Sequence, residues 1–124
     1  MHSTIPEHIC KNQPLVNRLK VAIEHIKLMY EPFKIILFGS YARGDFQENS
    51  TIDILIIANT ELRFIDRIRN AIEVTVGEPP IEPLIYTPGE FSTLRSQGEG
   101  FIESAIEEGI ILYEKKDSEE LVHL

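Results

Sequence analysis

Apolar residues recur at helical spacing through Val16, Leu19, Ile23, Ile26 and Tyr30, which predicts one buried face of a helix. Gln13 is placed to cap it, Pro14 sits in its first turn, and Glu31-Pro32 stops it. Arg18, Lys20, Glu24 and Lys27 fall on the exposed side. The period then changes. Phe33 to Phe38 is a short, nearly continuous apolar run closed by Gly39-Ser40, which predicts a strand covered on both faces. After the polar loop Asp45 to Ser50, Thr51 to Ile57 predicts a second strand, with Ile52, Ile54 and Ile56 on one face and Thr51, Asp53, Leu55 and Ile57 on the other.

Leu62, Ile65, Ile68 and Ile72 then form a helical stripe after a Thr60 cap, with Gly77 placed to end it and Arg63, Arg67 and Arg69 outward as a solvated face. A third strand is expected over Ile81 to Tyr86, at a sheet edge because Pro83 removes a ladder donor. Thr87-Pro88-Gly89-Glu90 has the pattern of a capping box. Phe91 and Leu94 start a helical segment that Gln97 to Gly100 interrupts; Phe101, Ile102, Ala105 and Ile106 resume it, and Gly109 closes it. Ile110 to Tyr113 is a last small strand, followed by a charged tail, Glu114 to Leu124. Helices alternating with strands predict an α/β fold, a sheet flanked by helices.

Composition adds limits to this picture. The 124 residues suit one domain, 1–124, and the 43% hydrophobic and 26% charged residues suit a soluble globule with disorder expected only at its two ends. The lone cysteine, Cys10, can form no intrachain disulfide, and the first residues lack the pattern of a secretion signal, so a cytoplasmic location is expected. No apolar run has the length of a membrane span. The net charge of −8 repels phosphate backbones, so broad nucleic-acid binding is not expected, while a small anion carried with a metal ion remains compatible.

Two features carry chemistry. Gly39-Ser40 ends a strand where backbone N–H groups and a hydroxyl can face an anion, although Gly-Ser also occurs in plain turns. It is neither a Gly-Lys-Ser/Thr phosphate loop nor the three-glycine dinucleotide fingerprint. Asp53 is a carboxylate in a covered strand, where ionisation is costly unless the group is paired, hydrogen-bonded or metal-bound. Asp53 at the wet end of the strand, bonded to a loop amide, is the plain structural alternative.

Gly39, Ser40, Ala42, Arg43, Gly44, Ser50 and Asp53 resemble, in kind and spacing, the motif of the nucleotidyltransferase superfamily that includes DNA polymerase beta, and in particular its minimal, MNT-type members. The resemblance implies a mixed β-sheet flanked by helices, the polymerase beta palm-like fold. It also implies Mg²⁺ (or Mn²⁺) and a nucleoside triphosphate, with ATP donating AMP to an acceptor hydroxyl. Gly39, Ser40 and Arg43 would then contact the nucleotide's phosphates, and Asp53 and Glu82 would be catalytic residues that hold metal, with Glu82 also placed to act as base.

The family's first aspartate is Thr51 in this chain, and a hydroxyl supplies neither its charge nor its bridging oxygen. Asp45 and Glu48 lie in the loop between the motif halves as substitute ligands or as ordinary solvated acids. His2, His8, His25 and His123 show no metal-ligand spacing with each other or with Cys10. Two expectations follow: a minimal nucleotidyltransferase, or a catalytically weakened nucleotide-binding or antitoxin module that acts by binding a HEPN-type partner protein.

Overall fold

The computed structural model describes residues 1–98 and 100–115. Its elements are α1 (Glu7–Cys10), α2 (Gln13–Tyr30), β1 (Lys34–Phe38), α3 (Ser40–Arg43), β2 (Ile52–Ile57), α4 (Phe64–Asn70), α5 (Ile72–Thr75), β3 (Ile81–Tyr86), α6 (Pro88–Gln97), α7 (Gly100–Glu108) and β4 (Ile110–Glu114). The strands form one sheet in the order β3-β2-β1-β4. β1 runs antiparallel to β2 and to β4, whereas β2 and β3 are parallel and joined through α4 and α5, so the sheet is mixed and flanked by helices, as expected.

Side chains alternate along a strand, so a continuous apolar run needs cover on both sides. Ile35, Leu37, Ile52, Ile54, Ile56, Ile81 and Ile85 pack beneath Leu15, Leu19, Ala22 and Ile26 of α2, together with Ala71 and Val74. Ile36, Phe38, Leu55 and Ile57 pack on the opposite side beneath Phe91 of α6 and Ile102 and Ala105 of α7. Each isoleucine buried this way contributes roughly 1.5–3 kcal/mol, which makes the two-sided sheet the main source of stability.

β3 is an edge strand, as Pro83 led us to expect. The Ile52 N–H donates to the Pro80 carbonyl and the Ala58 N–H to that of Tyr86, so the backbone of Ile81, Pro83 and Ile85 faces outward. Pro83 offers no donor there, and Arg67 Nη1 donates to the Ile85 carbonyl (3.0 Å). Both devices blunt pairing with another strand.

Arg67 overturns the expected polarity of its helix. It is 5% exposed, whereas Leu62, Ile65 and Ile72 of the expected apolar stripe are 41%, 54% and 61% exposed. The arginine can be buried because its donors are met: Nε by the Leu62 carbonyl (2.8 Å), Nη1 by the Ile85 carbonyl, and Nη1 and Nη2 by the two Glu90 oxygens (2.6 and 3.1 Å). The helix also breaks at Ala71. Arg63 rather than Thr60 stands at its N-cap, and Val76 rather than Gly77 caps α5. Arg63 and Arg69 remain exposed and pair with Asp66.

Other ends differ in detail. Asn12, not Gln13, caps α2, its side chain accepting from the Leu15 N–H (3.2 Å). Arg18 is half-buried and donates to the Pro79 and Val74 carbonyls (3.2 and 3.3 Å), tying α2 to the segment before β3. The Thr87–Glu90 capping box is present. The N-terminal residues, expected to be disordered, are packed: Ile9 is buried, and His2 bonds through its N–H to Gly109 (2.7 Å) and through its carbonyl to Ile111 (2.8 Å). Of the expected charged tail, Glu114 closes β4 and residues 116–124 lie outside the described residues.

Arg67 beside Glu90 holds the glutamate carboxyl down to about 2 from an ordinary 4.5, with the Thr87 amide helping. A folded value below the unfolded one stabilises the fold above about pH 4.5, and that stabilisation is lost as the pH falls towards 2. Glu90→Gln is expected to lower unfolding free energy at neutral pH by about 2 kcal/mol, less than a fully buried pair because Glu90 is partly solvated. Urea titrations at neutral pH and near pH 3 check this, the difference between wild type and variant shrinking in acid.

Candidate active site

The strand ends bring the motif together. In register, Asp53 pairs with Phe38 of β1 on one side and with Glu82 of β3 on the other, so the two carboxylates stand side by side on one face. Gly39 follows Phe38 with φ 77° and ψ −157°. A Cβ on Gly39 would overlap Asp53 Oδ2 and lie 3.3 Å from its Cγ, so only glycine fits between the turn and the acid.

The turn is braced by its own neighbours. The Gly39 carbonyl accepts from the Ala42 and Arg43 N–H groups (3.0 Å each), which winds α3, and Gly44 ends it with φ 92°. His8 Nε2 of α1 donates to the Tyr41 carbonyl (2.9 Å), and the Tyr41 and Phe46 rings stack at 4.2 Å. Ser40 is the first residue of α3 and half-buried.

Asp53 is half-buried and Glu82 exposed. Burial raises the Asp53 carboxyl above its ordinary range; the Thr51 hydrogen bond lowers it, the Glu82 carboxylate raises it, and the Arg43 charge lowers it. Thr51 Oγ1 donates to Asp53 Oδ1 (3.1 Å). Thr51 is therefore a neutral donor to Asp53.

Arg43 faces two acids. Its Nε donates to Asp45 (3.1 and 3.3 Å) and its Nη1 to Glu108 (3.0 and 3.2 Å). Glu108 Oε1 also accepts from the Gly39 N–H (3.1 Å). Sequence reasoning missed Glu108, which lies far from the motif at the end of α7. Gly109 was the available signal: a Cβ there would overlap the Ala105 carbonyl and lie 2.7 Å from Ile36 Cγ2, so α7 must end tight against β1. Asp45, a suggested substitute ligand, is committed to Arg43, and Glu48 is an exposed loop acid.

Comparison with known proteins matches residues 22–118 to the family described as polymerase beta, nucleotidyltransferase. The chain belongs to this nucleotidyltransferase family. It is 35% identical over 80 residues to a Methanocaldococcus jannaschii protein named "Putative protein adenylyltransferase MJ0604", covering 64% of this chain and 77% of that protein. A second protein of the same organism and of like name, "Putative protein adenylyltransferase MJ0141", is 62% identical over 24 residues, 19% of this chain and 24% of the relative. A solved nucleotidyltransferase-type structure from Sulfolobus solfataricus shares the fold with a TM-score of 0.61 at 17% identity, covering 90% and 91% of the two chains. A toxin-antitoxin structure with AMP-PNP is more distant, with a TM-score of 0.47 and 22% identity over 85% of this chain and 77% of that one.

Two adjacent carboxylates, one partly desolvated and with its proton affinity raised further by the other's charge, are a donor set that suits a hard divalent cation. Mg²⁺ takes one or two protein carboxylates and completes its shell with phosphate and water, so Asp53 and Glu82 fit one such ion. Among the described residues no group of three His, Cys, Asp or Glu side chains is arranged to hold a metal, so no other acid takes the place of the carboxylate that Thr51 lacks.

The raised Asp53 value means that the fold disfavours the ionised form, so Asp53→Asn is expected to gain stability relative to wild type as the pH rises through the Asp53 titration in metal-free buffer. Carboxyl NMR titration should move the Asp53 midpoint down in Glu82→Gln and further up in Thr51→Val.

Proposed function

We propose that this nucleotidyltransferase domain transfers a nucleoside monophosphate, AMP from ATP, to a hydroxyl on a protein acceptor. The observation that carries the reading is the in-register Asp53–Glu82 pair abutting the Gly39 turn. The protein acceptor comes from the names of the Methanocaldococcus relatives.

In this reading the Gly39 N–H, Ser40 and Arg43 hold phosphate oxygens, and Asp53 and Glu82 hold Mg²⁺ or Mn²⁺. A bound ion would supply charge neutralisation at the phosphates. The acceptor oxygen forms a bond to the α-phosphorus while the bond to the β-phosphate oxygen breaks and pyrophosphate leaves. Glu82, exposed at the sheet edge, takes the acceptor proton. Its exposure also leaves room for a macromolecular hydroxyl.

Thr51 favours a second reading. Its neutral hydroxyl donates to Asp53, so a bound ion would have one charged ligand fewer, a deficit that would weaken turnover more than binding. A nucleotide-binding module that acts through a protein partner, of HEPN type or otherwise, fits that deficit.

Incubation with α-labelled ATP, Mg²⁺ or Mn²⁺ and candidate protein acceptors separates the two. Asp53→Asn is expected to lower labelling by about 10²-fold or more, and Thr51→Asp to raise it by about 10-fold or more. Equal labelling by wild type and Asp53→Asn would sink the catalytic reading; transfer seen only in Thr51→Asp, with ATP binding intact in the wild type, establishes the binding module.

A further inference from the structure

Glu108 occupies the place that the proposed nucleotide needs. One of its oxygens receives both the Gly39 N–H (3.1 Å) and Arg43 Nη1 (3.0 Å), and the other lies 3.2 Å from the same Nη1. A backbone amide and a guanidinium converging on one pair of anionic oxygens is the donor arrangement that a phosphate group would also engage. The Glu108 side chain is 22% exposed, whereas Arg43 is 46% exposed and so open to an incoming anion from the solvent side.

The geometry points to Glu108 as an internal stand-in for phosphate, whose carboxylate must be exchanged for a phosphate group before a nucleoside triphosphate can engage Gly39 and Arg43. This inference rests on the phosphate-binding reading of the Gly39 turn and adds to it a residue that sets affinity.

The alternative role, a permanent clamp on the turn, is not required by the rest of the site. The turn takes its shape from the Gly39 carbonyl bonds, the Gly44 conformation, the His8 brace and the Tyr41–Phe46 stack, none of which uses Glu108. Exchange also needs no backbone movement. Glu108 is the last residue of α7 and Gly109 behind it is held tight, so withdrawal of the carboxylate would come from rotation about its side-chain bonds. Arg43 meanwhile keeps Asp45 as a partner, so its guanidinium stays near the turn. Exchange further removes a negative charge from a site that already holds Asp53 and Glu82, which favours the incoming polyanion.

Calorimetric titration of the wild type, Glu108→Gln and Glu108→Ala with MgATP and, separately, with magnesium inorganic triphosphate tests the inference. A site open to phosphate about one tenth of the time binds about tenfold more weakly than its open form. Both variants are therefore expected to bind both probes more tightly, by up to about tenfold in Glu108→Ala and less in Glu108→Gln, which keeps a neutral acceptor. Unchanged or weaker binding in both variants, with urea midpoints showing them folded, overturns the inference, as does a gain for MgATP that magnesium triphosphate does not share. Arg43→Ala keeps the two failures apart. Wild-type binding that is lost in Arg43→Ala but insensitive to Glu108 removes only the stand-in role, whereas no binding in any protein removes the phosphate-binding reading and the inference with it.

Discussion

A sheet buried on both faces leaves no room in its middle for an ionised side chain, and the placement of the charged groups at its end and edge follows from that constraint. The apolar layers made by α2 on one side and by α6 and α7 on the other cover β1 and β2 almost to their ends. Where β1 stops and β2 starts, Asp53 stands half-buried, directly paired with Phe38 on one side and Glu82 on the other. The same geometry brings the chain reversal at Gly39 against that carboxylate. The candidate site at this end of the sheet is thus the natural outlet for charges that the core excludes.

Two arginines show how context divides one residue type. Arg67 is buried because two backbone carbonyls and a bidentate glutamate meet its planar donors, and it secures the β3 edge and the start of α6 together. Arg43 is half in water, between Asp45 and Glu108, and its acidic partners can be traded for other anions with little disturbance to the core. The first arrangement is structural and depends on completeness. The second depends on being replaceable.

The acids of the site are likewise unequal. Asp53 carries a desolvation penalty that Thr51 relieves in part by donating a hydrogen bond, whereas Glu82 keeps its contact with solvent. That inequality suits a carboxylate that holds a cation beside one that exchanges a proton. It also shows what a threonine in the first acidic position does: it lowers the charge density of the site and steadies the carboxylate that remains.

The strands, the sheet edge at Pro83, the Thr87–Glu90 cap and the pairing of a glycine turn with Asp53 were legible in the sequence, because they depend on alternation, on a missing amide hydrogen and on residues close in the chain. The burial of Arg67, the outward turn of Ile65 and Ile72, and the meeting of Glu108 with Gly39 were not. Each depends on groups distant along the chain: the Ile85 carbonyl and Glu90 for the arginine, and the packing of α7 on β1 for the glutamate. Local pattern determined the strands, the longer helices and the prominence of Asp53, while the mixed sheet and the role of Glu82 came from the resemblance to the nucleotidyltransferases. Only the tertiary structure decided which charges have partners, because an ion's burial is settled by the donors and acceptors that folding brings to it from elsewhere in the chain.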